Sequence, residues 1–194
     1  MSEDRQDAAE GEDIALAPET IFRNPRFDAL RIALYHTERC NFLDRVNKVI
    51  NSLVILLSAG VVGKAASHFT LDGLWIELSV LIVATIQLVF DFGGRAKEHQ
   101  FLQKRYYEIL AEMEAAPQWD GEFLKKWSAK LLSLSADEFL TMRALDAIAY
   151  NKALGGVTDD PEQLRRYRLR VTVWQSLLRN LLAFNWADFK PQSR

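Results

Sequence analysis

Two apolar runs stand out from an otherwise amphipathic chain: VINSLVILLSAGVVGKAASHF from Val49 to Phe69, and LWIELSVLIVATIQLVFDF from Leu74 to Phe92. At ~1.5 Å per helical residue they reach about 31 and about 28 Å, close to the ~30 Å hydrocarbon core of a bilayer. The short link between them, Thr70 to Gly73, makes them antiparallel neighbours, so the pattern predicts a two-helix membrane hairpin. Ahead of the first run, Phe27, Leu30, Ala33, Leu34, Phe42, Val46 and Val49 recur at helical spacing. This predicts an amphipathic helix that continues unbroken into the first span. Behind the second run, Gly93 and Gly94 lower helix propensity, and RAKEHQFLQKRYYEILAEMEAA then resumes a helix with Phe101, Leu102, Tyr106, Ile109, Leu110 and Met113 apolar.

Beyond Pro117 the pattern predicts three more helices. One covers about 120 to 134, opened by Asp120 where the helix dipole favours a negative charge. The next starts at Ser135, where Glu138 follows three residues later as in a capping box, and stops at Gly155-Gly156. The last starts at Asp160 with Pro161 at the first helical position and continues to about Asn185. No strand pattern of useful length occurs, so the expected fold is all-α. It comprises an integral membrane hairpin, long cytosolic helical extensions and a C-terminal cytosolic helical cap. Three regions follow: 1–22 as a disordered acidic N-terminus, 23–116 as the hairpin with spans about 49–69 and 74–92, and 117–194 as a cytosolic helical domain.

Charges inside the runs change the picture. Lys64 and Glu77 lie at similar distance from the apex of the hairpin, so they are expected to pair at one depth, near the outer face. At 100° per residue, Glu77, Ala84, Gln87 and Asp91 fall within about 80° of each other, so the second span carries a polar stripe. Lipid offers such groups no partners, and the stripe must face protein or water. On the first span Ser52, Ala59, Gly63 and Ala66 form a stripe of small residues that permits close helix approach. Two readings stay open: the stripes pack the two arms together, or several hairpins assemble with Gln87 and Asp91 lining an aqueous path. Arg23, Arg26, Arg31, Arg39, Arg45 and Lys48 precede the runs and Arg95, Lys97, Lys104 and Arg105 follow them. The positive-inside rule then puts both termini in the cytoplasm. The alternative to a membrane protein is a soluble helical bundle with both apolar helices at its centre, which asks more surrounding protein than the other helices supply.

Composition narrows the function. The 194 residues carry a formal net charge of −2, so no global basic field suggests nucleic acid. Residues 1–20 hold seven acidic side chains against Arg5 alone, which favours disorder and does not read as a signal peptide. Cys40 is the sole cysteine. His36, His68 and His99 stand far apart in sequence and match no metal-ligand spacing, and each is expected to be a surface or interfacial side chain. Gly60 to Lys64 lacks the spacing and the following Ser or Thr of a phosphate loop. No nucleophile with a neighbouring base is legible, so neither an enzyme nor a cofactor is expected. The C-terminal Arg165, Arg166, Arg168 and Arg170, beside Tyr167, Trp174 and Trp186, form a candidate cytosolic basic surface for anionic lipid, a nucleotide signal or a partner. The competing reading makes these arginines interfacial anchors or salt-bridge donors.

The segment LDRVNKVINSLVILLSAGVVGKAAS, the short link, and LVFDFGGRAKEHQFLQKRYYEILAEME together resemble the SLATT family of bacterial two-transmembrane effectors associated with nucleotide-signal defence systems. The local marks are Arg45 and Asn47 leading into the first span, and the run Phe92, Ala96, His99, Leu102, Tyr106. ALDAIAYNKALGG and YRLRVTVWQSLLRNLLAF are similar to the tail of some members. The resemblance covers about Asp28 to the C-terminus. It implies an inner-membrane effector that homo-oligomerises and forms a pore when a partner senses infection. Because the chain shows no nucleotide-binding motif, the expected partner is a separate sensor or nucleotide synthase. A non-conducting membrane scaffold is the alternative.

Overall fold

The computed structural model describes residues 24–58, 73–116, 120–136 and 141–191. Among them the regular structure is helical, with an isolated antiparallel bridge between Leu169 and Pro191. Helix α1 runs from Pro25 to Ser58. Asn24 closes its start, its Oδ1 accepting from the Arg26 N–H at 2.9 Å and its carbonyl from the Asp28 N–H at 3.2 Å. Pro25 fills the first helical position, where a missing N–H costs no hydrogen bond. The N-terminal half of α1 buries Phe27, Ala29, Ala33, Tyr35, His36 and Leu43, whereas Val49, Leu53, Ile55 and Leu56 beyond it are exposed.

Helices α2 (Gly73–Phe90) and α3 (Phe92–Glu114) form one helical run bent at Asp91. Asp91 takes a left-handed backbone, φ 39° and ψ 56°, and its Oδ1 accepts from the Gly94 N–H at 3.0 Å. A Cβ on Gly94 would stand 2.1 Å from Asp91 Oδ2, so any larger residue there must shift the capping carboxylate. Hydrogen bonds from Asp91 N–H to the Gln87 carbonyl and from Arg95 N–H to the Asp91 carbonyl, 3.0 Å each, carry the helix through the bend. The sequence places the weak point at Gly93-Gly94; the break falls at the aspartate that those glycines accommodate.

α1 packs antiparallel to this run, with Asn51 beside Gln87, Asn47 beside Gly93 and His36 beside His99. Ala29 and Ala33 are fully buried, and their small side chains let α3 approach closely enough for Tyr106, Ile109 and Met113 to pack over them. α4 (Gly121–Ser135) covers that cluster with Phe123, Trp127 and Leu131. Asp120 caps it as the sequence predicts, its Oδ1 accepting from the Phe123 N–H at 2.8 Å. The other side of α1 is covered by α5 (Arg143–Val157), Tyr35 packing with Leu145 and Ala149, and Phe27 with Ala153 and Leu154.

Two boundaries differ from the sequence expectation. Ser135 does not open a helix; it ends α4, its hydroxyl donating back to the Leu132 carbonyl at 2.9 Å. α5 starts at Arg143 because tertiary bonds hold its first amides: Met142 N–H donates to the Tyr35 hydroxyl at 3.1 Å and Arg143 N–H to the Ala183 carbonyl at 3.1 Å. At its other end α5 passes through Gly155 and Gly156 to Val157, and a Cβ at Gly156 would stand 3.4 Å from Leu30. The glycine pair thus lies in the last turn of α5, next to Leu30 of α1.

The expected long helix from Asp160 to Asn185 is two short ones, α6 (Pro161–Tyr167) and α7 (Val173–Leu178), joined by extended chain. Asn151 on α5 supplies the reason. Its Oδ1 accepts from the Leu169 N–H at 2.8 Å and its Nδ2 donates to the Leu169 carbonyl at 2.9 Å, so the side-chain amide takes both backbone groups a helix would use. Thr172 and Gln175 then form a capping box that restarts the helix.

Candidate functional site

The polar groups of the apolar region meet between α1 and α2. Gln87 Nε2 donates to Asn51 Oδ1 at 2.7 Å, and the Asn47 side chain lies against Gly93 one helical turn nearer the N-terminus of α1. Of the predicted polar stripe, the structure therefore brings Gln87 against α1 and uses Asp91 as a helix cap at the bend. Glu77 is exposed on α2. The expected Lys64–Glu77 pair, and Ala59, Gly63 and Ala66 of the small-residue stripe, lie outside the described residues. Ser52 is exposed, and its hydroxyl donates to the Lys48 carbonyl at 2.8 Å. Ser79 and Thr85 do the same within α2, to Trp75 and Leu81 at 2.7 Å each. Hydroxyls satisfied by their own helix can face hydrocarbon at little cost. The sequence carries one signal for Asn47 and Asn51 as a polar pair, their spacing of four on one helix face inside an apolar approach.

Below this seam lies a feature that sequence spacing missed. His36 is 1% exposed, and its Nδ1 lies 2.8 Å from Nδ1 of His99, with Tyr106 stacked on His36 at 5.7 Å between ring centres. The expectation of a surface or interfacial side chain gives way at His36 to a buried one between α1 and α3, because antiparallel packing brings together two residues 63 positions apart. A 2.8 Å separation is a hydrogen bond with one imidazole donating and the other accepting. It is shorter than the roughly 3.3 Å that two nitrogens keep around one tetrahedral zinc. Among the described residues no group of three or more His, Cys, Asp or Glu is placed to hold a metal ion. His68 lies outside the described residues. Cys40, half-buried on α1, has its thiol pKa raised by burial first and by Asp44 second, which lowers its thiolate fraction.

Charged side chains tie the C-terminal segment to this bundle. Glu38 of α1 binds both Lys152 of α5 and Arg179, the latter at 3.3 Å. Arg39 donates to the Asn180 carbonyl, and Arg143 to the Asn185 carbonyl at 2.9 Å. The Lys152 hydrogen bond holds the Glu38 carboxyl below its ordinary value of 4.5, with Arg179 adding to the effect and burial opposing it. A depressed carboxylate pKa stabilises the fold above pH 4.5 and loses that contribution as pH falls through the folded value. Glu38→Gln is therefore expected to lower the unfolding midpoint at pH 7 by an amount worth on the order of 1 kcal/mol or less. The difference from the parent should vanish in acid; a difference that persists unchanged at pH 3 argues against the ion pairs as its source.

Arg31 meets Asp146 at 3.6 Å and Asp28 at 3.9 Å beside a cavity of about 440 Å³ that reaches Tyr35, Ser128 and Thr141. Burial raises the Asp28 pKa, opposed by Arg31. Of the predicted basic surface, Arg165 and Arg166 lie exposed on α6 and Arg168 and Arg170 exposed on the extended link that follows it.

Fold and site together define a class: an all-α protein in which, among the described residues, one helical run from Glu77 to Glu114 is long and apolar enough to cross a membrane, its most apolar window unburied. Compared with known proteins, the chain matches no family model, no curated protein and no solved structure.

Proposed function

We propose that this protein is a SLATT-like effector of the bacterial inner membrane. It is a two-span hairpin with both termini cytoplasmic, which homo-oligomerises and opens a conducting path when a sensor or nucleotide-synthase partner signals infection. The observation that carries the reading is α2, an apolar helix whose Leu81, Ile82, Leu88 and Val89 are all exposed. Exposed apolar surface of this length fits lipid. The seam of Asn47, Asn51 and Gln87 supplies polar groups that a change in hairpin packing exposes to a neighbouring copy or to water. The site is read as non-enzymatic and without a cofactor.

Overproduction of the full chain, with its trigger where needed, is expected to depolarise cells, and the purified protein to pass ions in liposomes. The double variant Gln87→Leu, Asp91→Leu should conduct less. Equal flux from both proteins removes these residues from the path. Membrane insertion with no depolarisation under any condition favours the scaffold reading.

A further inference from the structure

Of the non-glycine residues described, Asp91 and Phe184 have a positive φ, and Asp91 stands where the apolar helix α2 meets the bundle helix α3. An L residue in the left-handed region carries a steric penalty, so its surroundings must hold it there. Three contacts do so. The Asp91 carboxylate takes the Gly94 N–H at 3.0 Å, a donor that a continuous helix gives to the Phe90 carbonyl. The rings of Phe90 and Phe92 stack at 5.6 Å between centres and 15° between planes, although residues two apart do not face each other on a regular helix. One turn before the bend Gln87 donates to Asn51, and just after it Gly93 lies against Asn47.

The two sides of the bend are held differently. α3 is anchored in the core through Leu102, Tyr106, Ile109 and Met113, all buried, whereas none of the described side chains of α2 is buried. α1 passes the bend without a break, from Pro25 to Ser58. A change at Asp91 therefore moves α2 and leaves the bundle in place. A straight alternative gives up few bonds. Those from Asp91 N–H to Gln87 and from Arg95 N–H to Asp91 already follow helical spacing, and Gly94 N–H exchanges a side-chain acceptor for the Phe90 carbonyl. Straightening relieves the left-handed penalty and loses the carboxylate cap and the ring stack in return. It also changes φ and ψ of Asp91 by about 100° each, which turns α2 against α3 and carries Gln87 away from Asn51.

We infer that Asp91 is a two-state joint. With its carboxylate on the Gly94 N–H, the run is bent and Gln87 is locked to Asn51. With Asp91 right-handed, α2 and α3 fuse into one straight helix and the amides of Gln87 and Asn51 are released. The joint supplies the change in hairpin packing that bares the polar seam, and its role in opening rests on the proposed conducting function.

Full chains carrying Cys40→Ser receive two spin labels, at Leu81→Cys with Lys104→Cys across the bend, or at Ile55→Cys with Leu81→Cys across the seam, all exposed positions. Pulsed-EPR distances are read in nanodiscs containing phosphatidylglycerol for the parent, Asp91→Asn, Asp91→Ala and Gly94→Ala. A straight helix puts residues 81 and 104 about 35 Å apart along its axis. Asparagine tolerates the left-handed region and keeps an acceptor, so Asp91→Asn should reproduce the parent distances. Asp91→Ala removes the cap, and Gly94→Ala displaces the carboxylate, which lies 2.1 Å from where its Cβ would stand. In both, the 81–104 distance is expected to lengthen by several ångströms toward the straight value and the 55–81 distance to shift with it. A parent-like 81–104 distance in Asp91→Ala overturns the joint, and a shift there that Gly94→Ala fails to reproduce overturns the cap as what holds the bend. A lengthened 81–104 distance with an unchanged 55–81 distance overturns its hold on the seam. In liposomes without any trigger, Asp91→Ala, with Gln87 intact, is expected to pass ions severalfold faster than Asp91→Asn; equal, measurable flux overturns the role in opening. If the parent and every variant pass no ions, the conducting reading fails and the role in opening with it, while the distances decide the joint by themselves.

Discussion

Ile82→Arg is expected to remove most of the protein from the membrane fraction. Ile82 lies midway along α2 and is 49% exposed, so the new side chain has no internal partner and no short route to either interface. A charged residue at the centre of a spanning helix costs about 2.5–3.5 kcal/mol on insertion scales, which lowers the ratio of inserted to uninserted chain on the order of 100-fold. The measurement is the share of protein that stays with membranes after alkaline extraction. A soluble bundle responds differently, because an exposed substitution shifts stability by only about 0.5 kcal/mol and leaves the protein in the soluble fraction before and after the change. Equal retention of Ile82→Arg and parent in membranes would sink the assignment of α2 as a span.

Tyr106→Ala is expected to cause the largest loss of folding stability of any single truncation considered, about 3–5 kcal/mol. Tyr106 is fully buried between Ala29 and Ala33 of α1 and the Trp127 side of α4, and it also forms one wall of the His36–His99 pair through its stacking on His36. Truncation opens a cavity lined by helices that are fixed to one another elsewhere, so the core cannot collapse to fill it. Leu132→Ala on the exposed face of α4 supplies the comparison and should change the unfolding midpoint by no more than about 0.5 kcal/mol equivalent. If both variants unfold at the same denaturant concentration in detergent, the α1–α3–α4 cluster is not the core of the helical bundle.

Much of the architecture was legible in the pattern of apolar positions. The helical stretch preceding the first apolar run, the α2 run, and α4 with its Asp120 cap follow from periodicity and local capping chemistry, which act over three to four residues. The long C-terminal helix that the sequence predicts does not form, although its own residues favour helix. What splits it is the Asn151 side chain, far enough away in sequence that no local rule sees it. Ser135 differs for a similar reason: a serine hydroxyl can accept from an amide ahead of it and open a helix, or donate to a carbonyl behind it as Ser135 does to Leu132, and Tyr35 and Ala183 hold the first amides of the next helix. In the candidate site, the polar character of Gln87 and Asp91 was evident, but their roles were not. Asn51 turns one toward α1, and Gly94 turns the other into a cap.

By itself the sequence determined the all-α class, an apolar helical run of membrane-spanning length and the positions of the few polar groups within it, because these depend on composition and on the period of a single helix. Tertiary structure decided which groups meet. His36 reaches His99, Gln87 reaches Asn51, and Glu38 holds Lys152 and Arg179, because antiparallel packing sets residues of equal depth side by side whatever their separation along the chain. It also decided how the C-terminal segment is held, since Asn151 binds Leu169, Arg39 binds Asn180 and Arg143 binds Asn185 while Trp174 and its neighbours stay exposed.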